Sequence, residues 1–309
     1  MGRKTAFTEA LARHAPLLLD GGLATQLEAQ GCDIGNRLWS ASLLLENPQA
    51  IVDAGRAYLD AGAECIATAS YQASREGFAE RGMSATQADE LLRLSVTLAV
   101  RARDEFIAAS PGIVPLIAAS IGPYGAMLHD ASEYHGNYGV SAATLAEFHS
   151  SRLQLFDTSD ADVLALETIP SKIEAEVLCE LLRSCETPAW VSFCCKDEQH
   201  ISDGTPIAEV AALFRDHPTV AAVGLNCTSP RFAPALIRQV HSAVPDKAVI
   251  AYPNSGETYN VEDNSWSGTV TPVDCASAAI EWVRAGASIV GGCCRMGPEH
   301  IRAMKKALS

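Results

Sequence analysis

The stretch SIVGGCCRMG, Ser288 to Gly297, is a short apolar run that ends in two glycines and two adjacent cysteines. An apolar run bounded by turn residues is typical of a buried strand in a parallel sheet. Similar runs recur along the chain and predict eight strands, near residues 16–20, 63–69, 113–120, 162–167, 189–194, 220–226, 247–252 and 286–291. The last predicted strand therefore ends just before the cysteine pair.

Amphipathic stretches between the predicted strands predict helices. Asn47 and Pro48 suit the N-cap and first turn of a helix that ends at Gly62. Further helices are predicted near residues 85–109, 143–159, 172–185, 206–216, 231–243, 273–285 and 298–308. Eight strands, each followed by a helix and with no break resembling a linker, predict an α/β fold. We expect a single (β/α)8 TIM barrel domain over residues 1–309 rather than an open sheet.

Composition and charge narrow the classes of function. The 309 residues are 48% hydrophobic and 19% charged, which is typical of a globular protein. The net charge is −14 and no cluster of Lys and Arg offsets it, so nucleic acid is not an expected partner. The sequence shows neither a signal peptide nor an apolar run of about 18 residues, so we expect a cytoplasmic protein without membrane contact. In that compartment the ten cysteines are expected to be thiols, core residues or metal ligands.

Polar residues follow the predicted strands at their carboxyl ends, which form the active-site face of such a barrel. In chain order they are Asp20, Ser70-Tyr71-Gln72, Glu167-Thr168, Asn226-Cys227, Pro253-Asn254 and Cys293-Cys294. Two long segments without clear periodicity, 121–141 and 253–271, also follow predicted strands. Loops of this length are either lids and binding loops or surface insertions without a role.

Three cysteines, Cys227, Cys293 and Cys294, are predicted to reach this face together. Adjacent cysteines are poor disulfide partners because the ring that joins them is strained. Three thiolates with an open fourth position favour a catalytic zinc site, since structural zinc sites are normally closed by four protein ligands. Core packing is the alternative for any cysteine, and it is our interpretation of the second adjacent pair, Cys194-Cys195.

Other chemistry-bearing residues allow several interpretations. The eight histidines show neither an HxH pattern at a strand end nor an HExxH pattern, which argues against a histidine-ligated hydrolase. Asp20 and Glu167 could act as general acid and base, as anions that hold an ammonium group, or as caps for backbone N–H groups. With zinc nearby to activate a nucleophile, we favour charge pairing.

Several motifs together resemble those of one enzyme family. They are LLLDGGLATQLEAQG, SIGPYGA, SEYHGNYG, ALETIP, SDGTPI, GLNC, YPNSGE and GGCCR, and they extend over nearly the whole chain. Their order is that of the homocysteine S-methyltransferases, and the combination of GLNC and GGCC with the DGG and ET motifs is specific. The chain most resembles the S-methylmethionine:homocysteine methyltransferase branch of that family.

The resemblance implies a zinc-dependent barrel enzyme of methionine biosynthesis. Cys227, Cys293 and Cys294 would hold Zn²⁺, and the sulfur of homocysteine would be the fourth ligand. Asp20 and Glu167 match the carboxylates that hold the ammonium group of the amino acid.

Less specific matches add further candidates for substrate contacts. Gln72, after Tyr71, matches a position near the ligands, and Asn254 lies in the motif YPNSGE. Thr168 departs from the betaine-using branch, which has a tyrosine there that can reach the zinc, so the fourth ligand of the empty enzyme stays open. Candidates for attracting a sulfonium, with core or lid packing as the alternative for each, are Tyr71, Trp39, Tyr124, Tyr134, Tyr138 and Trp266.

The expected reaction is methyl transfer from S-methylmethionine to L-homocysteine, with S-adenosylmethionine as a weaker donor. Betaine is the alternative within the family. No second domain for a corrinoid or folate is apparent, which argues against cobalamin-dependent synthesis. Outside the family, a zinc-dependent barrel hydrolase or a protein that only binds zinc remain alternatives. The expected partners are small molecules, and the sequence leaves the oligomeric state open.

Overall fold

The eight main strands form one parallel sheet in the computed structural model, which describes residues 3–13, 16–33, 42–110, 112, 114–260, 265–267 and 270–309. Two further short strands form a separate antiparallel pair. In chain order the strands are β1 (Leu17–Leu18), β2 (Cys65–Ala67), β3 (Leu116–Ile121), β4 (Val163–Ile169), β5 (Ala189–Phe193), β6 (Val220–Asn226), β7 (Ala248–Tyr252), β8 (Thr258–Asn260), β9 (Ser265–Ser267) and β10 (Ile289–Val290).

The main sheet closes on itself. Its order is β1-β10-β7-β6-β5-β4-β3-β2, and a parallel bridge between Leu19 and Cys65 joins the two outer strands. Two backbone hydrogen bonds support the closure, from Asp20 N to the Cys65 carbonyl at 3.0 Å and from Glu64 N to the Leu18 carbonyl at 2.7 Å. The predicted (β/α)8 barrel is thereby confirmed.

Helices surround the strands. They are α1 (Arg3–Leu11), α2 (Leu23–Ala29), α3 (Leu43–Glu46), α4 (Pro48–Ala61), α5 (Arg75–Ala79), α6 (Ala85–Ala109), α7 (Tyr124–Leu128), α8 (Ala142–Asp157), α9 (Lys172–Leu181), α10 (Ile207–Ala212), α11 (Ala233–Ala243), α12 (Pro272–Ala285) and α13 (Pro298–Leu308). The side chain of Asn47 caps α4 by accepting from Ala50 N at 3.4 Å, and Gly62 ends this helix with φ of 106°. The predicted bounds of α6 and α13 are confirmed, whereas α10 ends at Ala212, four residues earlier than predicted.

Small and branched side chains fill the barrel interior. Along β4, Val163 and Ala165 belong to this inner cluster, while Leu164 and Leu166 pack outward against the helices. Side chains of a strand alternate between its two faces, so the next inward position on β4 is Glu167. The same alternation brings Ser120 of β3 to the inside at the carboxyl end.

The two long segments carry some regular structure. Segment 121–141 contains α7 and a 3₁₀ turn at Ser132–Tyr134, and segment 253–271 contains the β8–β9 pair. Among the described residues, no helix combines the length and the apolar character needed to cross a membrane. Trp39 and the side chain of Trp266, both candidates from the sequence, lie outside what the structure describes.

Candidate active site

Cys227, Cys293 and Cys294 come together where β6 and β10 end. Their sulfur atoms all lie within 4.8 Å of one another, and the sulfurs of Cys227 and Cys294 are 3.5 Å apart. Within the described ranges, this is the one group of three or more potential metal-binding side chains. Cys227 has a left-handed backbone with φ of 49°, a conformation that non-glycine residues rarely adopt. The chain thus turns at the end of β6 in a way that holds this sulfur at the cluster.

The glycines before the cysteine pair allow the chain to approach β1 closely. A Cβ atom at Gly291 would lie 2.6 Å from Cβ of Leu19, and one at Gly292 would lie 2.7 Å from Cβ of Met296. Any larger residue would therefore displace its neighbours. Because Gly292 N donates to the Asp20 carbonyl at 2.9 Å, this close approach also fixes Asp20 beside the cysteines.

The three sulfurs form a donor set suited to a soft metal ion. Hydrogen bonds from Cys293 and Cys294 hold the pKa of the Cys227 thiol well below its usual range, and donating those bonds raises the pKa of Cys293. Tetrahedral zinc with bonds of about 2.3 Å to sulfur requires sulfurs about 3.8 Å apart, close to the observed spacing. The residues present fit such an ion.

Two carboxylates, Asp20 and Glu167, lie at the same end of the barrel. Asp20 Oδ2 accepts from Ala67 N at 2.7 Å, and Glu167 accepts from the hydroxyls of Ser120 and, at 3.0 Å, Tyr252. Burial raises the pKa of each carboxyl to about 7, with the charge of Glu167 as a smaller cause at Asp20. Among the described residues, no cation shifts either pKa. The pair is therefore suited to a ligand that brings a positive charge.

Comparisons with known proteins identify the family of this chain. Residues 17–308 match the family model described as homocysteine S-methyltransferase. The chain is 46% identical over 291 residues to homocysteine S-methyltransferase YbgG of Bacillus subtilis, covering 93% of this chain and 92% of that protein. It is 41% identical over 310 residues to homocysteine S-methyltransferase of Escherichia coli, covering 99% of each. The chain belongs to the homocysteine S-methyltransferase family.

A solved structure extends this likeness to the fold. The crystal structure of the homocysteine methyltransferase MmuM from Escherichia coli, in its metallated form, matches with a TM-score of 0.87 at 39% identity. The match covers 98% of this chain and 99% of that chain. The resemblance found in the sequence motifs is thereby confirmed over nearly the whole barrel.

In this member of the homocysteine S-methyltransferase family, a tyrosine of segment 121–141, which we call the lid, approaches the cluster. The hydroxyl of Tyr134 lies 3.8 Å from Sγ of Cys227 and contributes to lowering the pKa of that thiol. Tyr71 packs so tightly on Gly122 that a Cβ there would lie 2.8 Å from its ring. By contrast, the rings of Tyr124 and Tyr138 lie 5.5 Å apart and pack against each other within the lid. Tyr134 is thus the aromatic candidate that reaches the sulfurs.

Gln72 and Asn254 occupy different surroundings. Gln72 is 5% exposed, and within the described structure its Oε1 is buried without a hydrogen-bond partner. Asn254 Oδ1 accepts from Gly256 N at 3.2 Å, and the residue lines a cleft of about 620 Å³. None of the three cysteines lines that cleft. Among the described residues, Gln72 thus has a buried acceptor without a partner, whereas Asn254 lines a cleft that the cysteine cluster does not reach.

A buried polar network inside the barrel supports the site, and the sequence reasoning assigned it no role. Asn226 Oδ1 accepts from Thr168 N at 2.7 Å and from the Ser192 hydroxyl at 2.8 Å. The Ser192 hydroxyl also lies 2.6 Å from that of Tyr252, which contacts Glu167. Polar residues at inward positions of β5, β6 and β7 were the signal that could have revealed the network. It holds Glu167 and Thr168 in place.

The second pair of adjacent cysteines is divided between two environments. Cys194 Sγ donates to the Cys227 carbonyl at 3.4 Å, whereas Cys195 belongs to the outer core between strands and helices. Burial raises the pKa of both thiols. Both are therefore neutral thiols, and Cys194 is the one that packs beside the three-cysteine cluster.

Proposed function

We propose that this enzyme transfers a methyl group from S-methylmethionine to L-homocysteine and forms methionine at the three-cysteine site. Its family supplies the acceptor and the class of reaction. The observation that carries the proposal is the convergence of three sulfurs within 4.8 Å beside Asp20 and Glu167. This arrangement offers ligands for a metal ion and counter-charges for an amino acid at one end of a barrel.

We infer that the resident metal is zinc, held by Cys227, Cys293 and Cys294. Three sulfur ligands favour zinc over the harder ions Mg²⁺ and Ca²⁺, and a site with three protein ligands keeps a position for a substrate. When bound, the ion would supply Lewis-acid activation that keeps a substrate thiol deprotonated at neutral pH.

Asp20 and Glu167 are proposed to bind the ammonium group of homocysteine. Both carboxyls are partly buried, and a positive charge between them would lower their pKa values and favour the ionised forms. The hydroxyls of Ser120 and Tyr252 fix the orientation of Glu167. Gln72 is proposed as a further contact because its buried Oε1 can accept from a donor group on the substrate.

The chemical step is a displacement at a methyl carbon. The homocysteine thiolate donates an electron pair to the methyl carbon, and the bond between that carbon and the sulfonium sulfur breaks. The electron pair of that bond returns to the donor sulfur, so both products are neutral thioethers, and with S-methylmethionine both are methionine. Opposite charges cancel in this step, so the low polarity of a site that excludes water favours it.

The proposed donor is supported by the motifs, which most resemble the S-methylmethionine branch of the family. Thr168, where the betaine-using branch has a tyrosine, departs from that other branch. S-adenosylmethionine shares the sulfonium and is proposed as a weaker donor. No observation in the described structure favours the hydrolase.

The experiment combines two labels in one reaction. Metal-replete protein receives homocysteine labelled with ¹³C in its carbon chain and S-methylmethionine that carries two CD3 groups. Methionine that contains both labels demonstrates transfer, and mass spectrometry measures it. Protein with stoichiometric zinc that yields no doubly labelled product would refute the proposed donor, and parallel reactions with betaine and S-adenosylmethionine identify the alternatives. Product formed without homocysteine would instead indicate hydrolysis.

Two matched variants test the metal site. Cys294→Ala removes one proposed ligand and is expected to lose both stoichiometric zinc and turnover. Cys195→Ala removes a thiol from the other adjacent pair, outside the cluster, and is expected to retain both. Full zinc content and activity in Cys294→Ala would show that the ligands are misassigned.

A further inference from the structure

Glu133 is a buried carboxyl next to the cysteine cluster that the reaction described above does not use. It lies in the 3₁₀ turn Ser132–Tyr134 of the lid, directly before the tyrosine whose hydroxyl is 3.8 Å from the Cys227 sulfur. The residue is 5% exposed, and its Oε2 atom is buried without a hydrogen-bond partner among the described residues. Burying a carboxyl oxygen without a hydrogen-bond partner destabilises the folded protein, so the presence of this group requires an explanation.

The charges around Glu133 do not supply that explanation. The groups that act on it most strongly are Cys227 and Asp130, and both are negative. No Lys, Arg or His side chain forms an ion pair with it in the described part of the chain. Among the described residues its carboxylate therefore lacks a cation, and a cation brought by a ligand would supply the missing counter-charge.

Aromatic residues accompany Glu133 in this part of the fold. Tyr134 follows it directly in the chain. Glu133 N and the ring of Tyr138 both approach Gly125, since a Cβ there would lie 2.5 Å from that nitrogen and 2.6 Å from that ring. Ring faces attract cations, and they suit a cation that has no N–H or O–H groups to donate. A carboxylate among tyrosines thus matches a sulfonium better than it matches an ammonium, which requires several hydrogen-bond acceptors.

We propose that Glu133 determines specificity for the cationic methyl donor by pairing with its sulfonium centre. This inference rests on the proposed function, because it requires a sulfonium donor beside the cysteine cluster. The position of Glu133 supports this role. The methyl group must reach a sulfur held next to Cys227, so the sulfonium of the donor must lie close to the cluster. Asp20 and Glu167 remain for the ammonium group of homocysteine.

The charge pairing affects binding more than the chemical step. The positive charge on the donor sulfur disappears as the methyl group leaves, so Glu133 stabilises the bound donor more than the transition state. Glu133→Gln, which keeps the shape and removes the charge, is expected to weaken donor binding by about tenfold to a hundredfold. The kcat at saturating donor is expected to stay equal or to rise, while KM for homocysteine stays unchanged.

A neutral analogue of the donor provides the decisive comparison. In 2-amino-5-methylhexanoate a CH group replaces the sulfonium sulfur of S-methylmethionine, so the two molecules share shape and amino acid groups and differ in this charge. Calorimetric titration of metal-replete protein gives the ratio of their dissociation constants. Wild type is expected to prefer the sulfonium by about tenfold or more, and Glu133→Gln is expected to bring this ratio close to one.

Two further variants complete the test. Glu147→Gln removes an exposed carboxylate from α8, outside the site, and is expected to retain the wild-type ratio. Glu133→Asp keeps the charge and should retain most of the preference, which provides a result even if Glu133→Gln fails to fold. Zinc content and circular dichroism establish that each variant is folded.

Each outcome separates this inference from the proposed function. A wild type that transfers methyl groups from the sulfonium, with an unchanged ratio in Glu133→Gln, would overturn the role of Glu133 and leave the proposed function intact. Equal weakening of both ligands in Glu133→Gln would also overturn it, because the carboxylate would then act on a part that the two ligands share. A wild type that transfers nothing from S-methylmethionine would refute the donor itself.

Discussion

Replacing Asn226 with alanine would remove the side chain that joins the ends of three barrel strands. Thr168 N donates to Oδ1 of Asn226 at 2.7 Å, the Ser192 hydroxyl donates to the same oxygen at 2.8 Å, and Nδ2 donates to the Thr168 hydroxyl at 2.8 Å. Both partner residues are buried, and Thr168 has a φ of 63°, which is unusual for a β-branched residue. The Asn226 side chain is the group that holds this backbone in place.

The expected loss follows from those contacts. Each hydrogen bond contributes about 1 kcal/mol net, and a buried N–H left without a partner costs about 1–3 kcal/mol. Thr168 N would be left without its partner, whereas Ser192 would retain its hydrogen bond with the Tyr252 hydroxyl at 2.6 Å. We therefore expect Asn226→Ala to reduce the free energy of unfolding by about 4 kcal/mol, a large share of the roughly 5–15 kcal/mol typical of a native protein.

Equilibrium unfolding in urea measures this loss, with circular dichroism and tryptophan fluorescence as two probes of one transition. Asn137→Ala is the matched control because Asn137 lies exposed in the lid. This control should remain within about 0.5 kcal/mol of wild type. An Asn226→Ala protein less than about 1 kcal/mol below wild type would refute the idea that this side chain maintains the strained turn at Thr168.

Two further predictions concern single carboxyl and imidazole groups. Glu167→Gln removes a proposed counter-charge, so steady-state kinetics should show a KM for homocysteine raised by about tenfold to a hundredfold; an unchanged KM would exclude that role. Burial lowers the pKa of His149, so His149 becomes protonated in the unfolded state at a higher pH than in the folded state. The folded protein therefore loses stability as pH falls below about 6.5, by up to about 1.4 kcal/mol per pH unit. His149→Gln should flatten this decline in urea unfolding between about pH 6.5 and 5, whereas His241→Gln, at an exposed position, should not; equal slopes in all three proteins would contradict the assignment.

The barrel and its cysteine cluster could be predicted because both depend on local patterns. Each apolar run marked a strand, and parallel strands in a barrel carry their carboxyl ends to one face, so Cys227, Cys293 and Cys294 had to approach one another. The alternation of side chains along β4 likewise brings Glu167 to the inside, two positions after Ala165. These conclusions require no knowledge of how loops fold.

The sequence was less informative about features that depend on packing between distant parts of the chain. The strands β1 and β10 each have two residues, fewer than their apolar runs suggested. The position of Tyr134 depends on how the lid folds over the barrel, and no periodicity records that fold. The sequence also offers no sign that Glu133 is buried without a partner, since glutamate in a loop is usually exposed.

The charges at the mouth of the barrel make a last prediction about the empty enzyme. Burial raises the pKa of Asp20, Glu167 and Glu133 to about 7, above the value of about 4 expected when unfolded. The folded state therefore holds more protons between these values, and its stability falls as pH rises from about 4 to 7. The ammonium group of homocysteine would replace the protons on Asp20 and Glu167 as a counter-charge, so its binding should release protons and stabilise the fold more strongly at about pH 8 than at about pH 6. Thermal unfolding of metal-free and zinc-loaded protein, each with and without homocysteine, measures this gain. An increase in Tm that is independent of pH would show that these carboxyls already have counter-charges without the ligands.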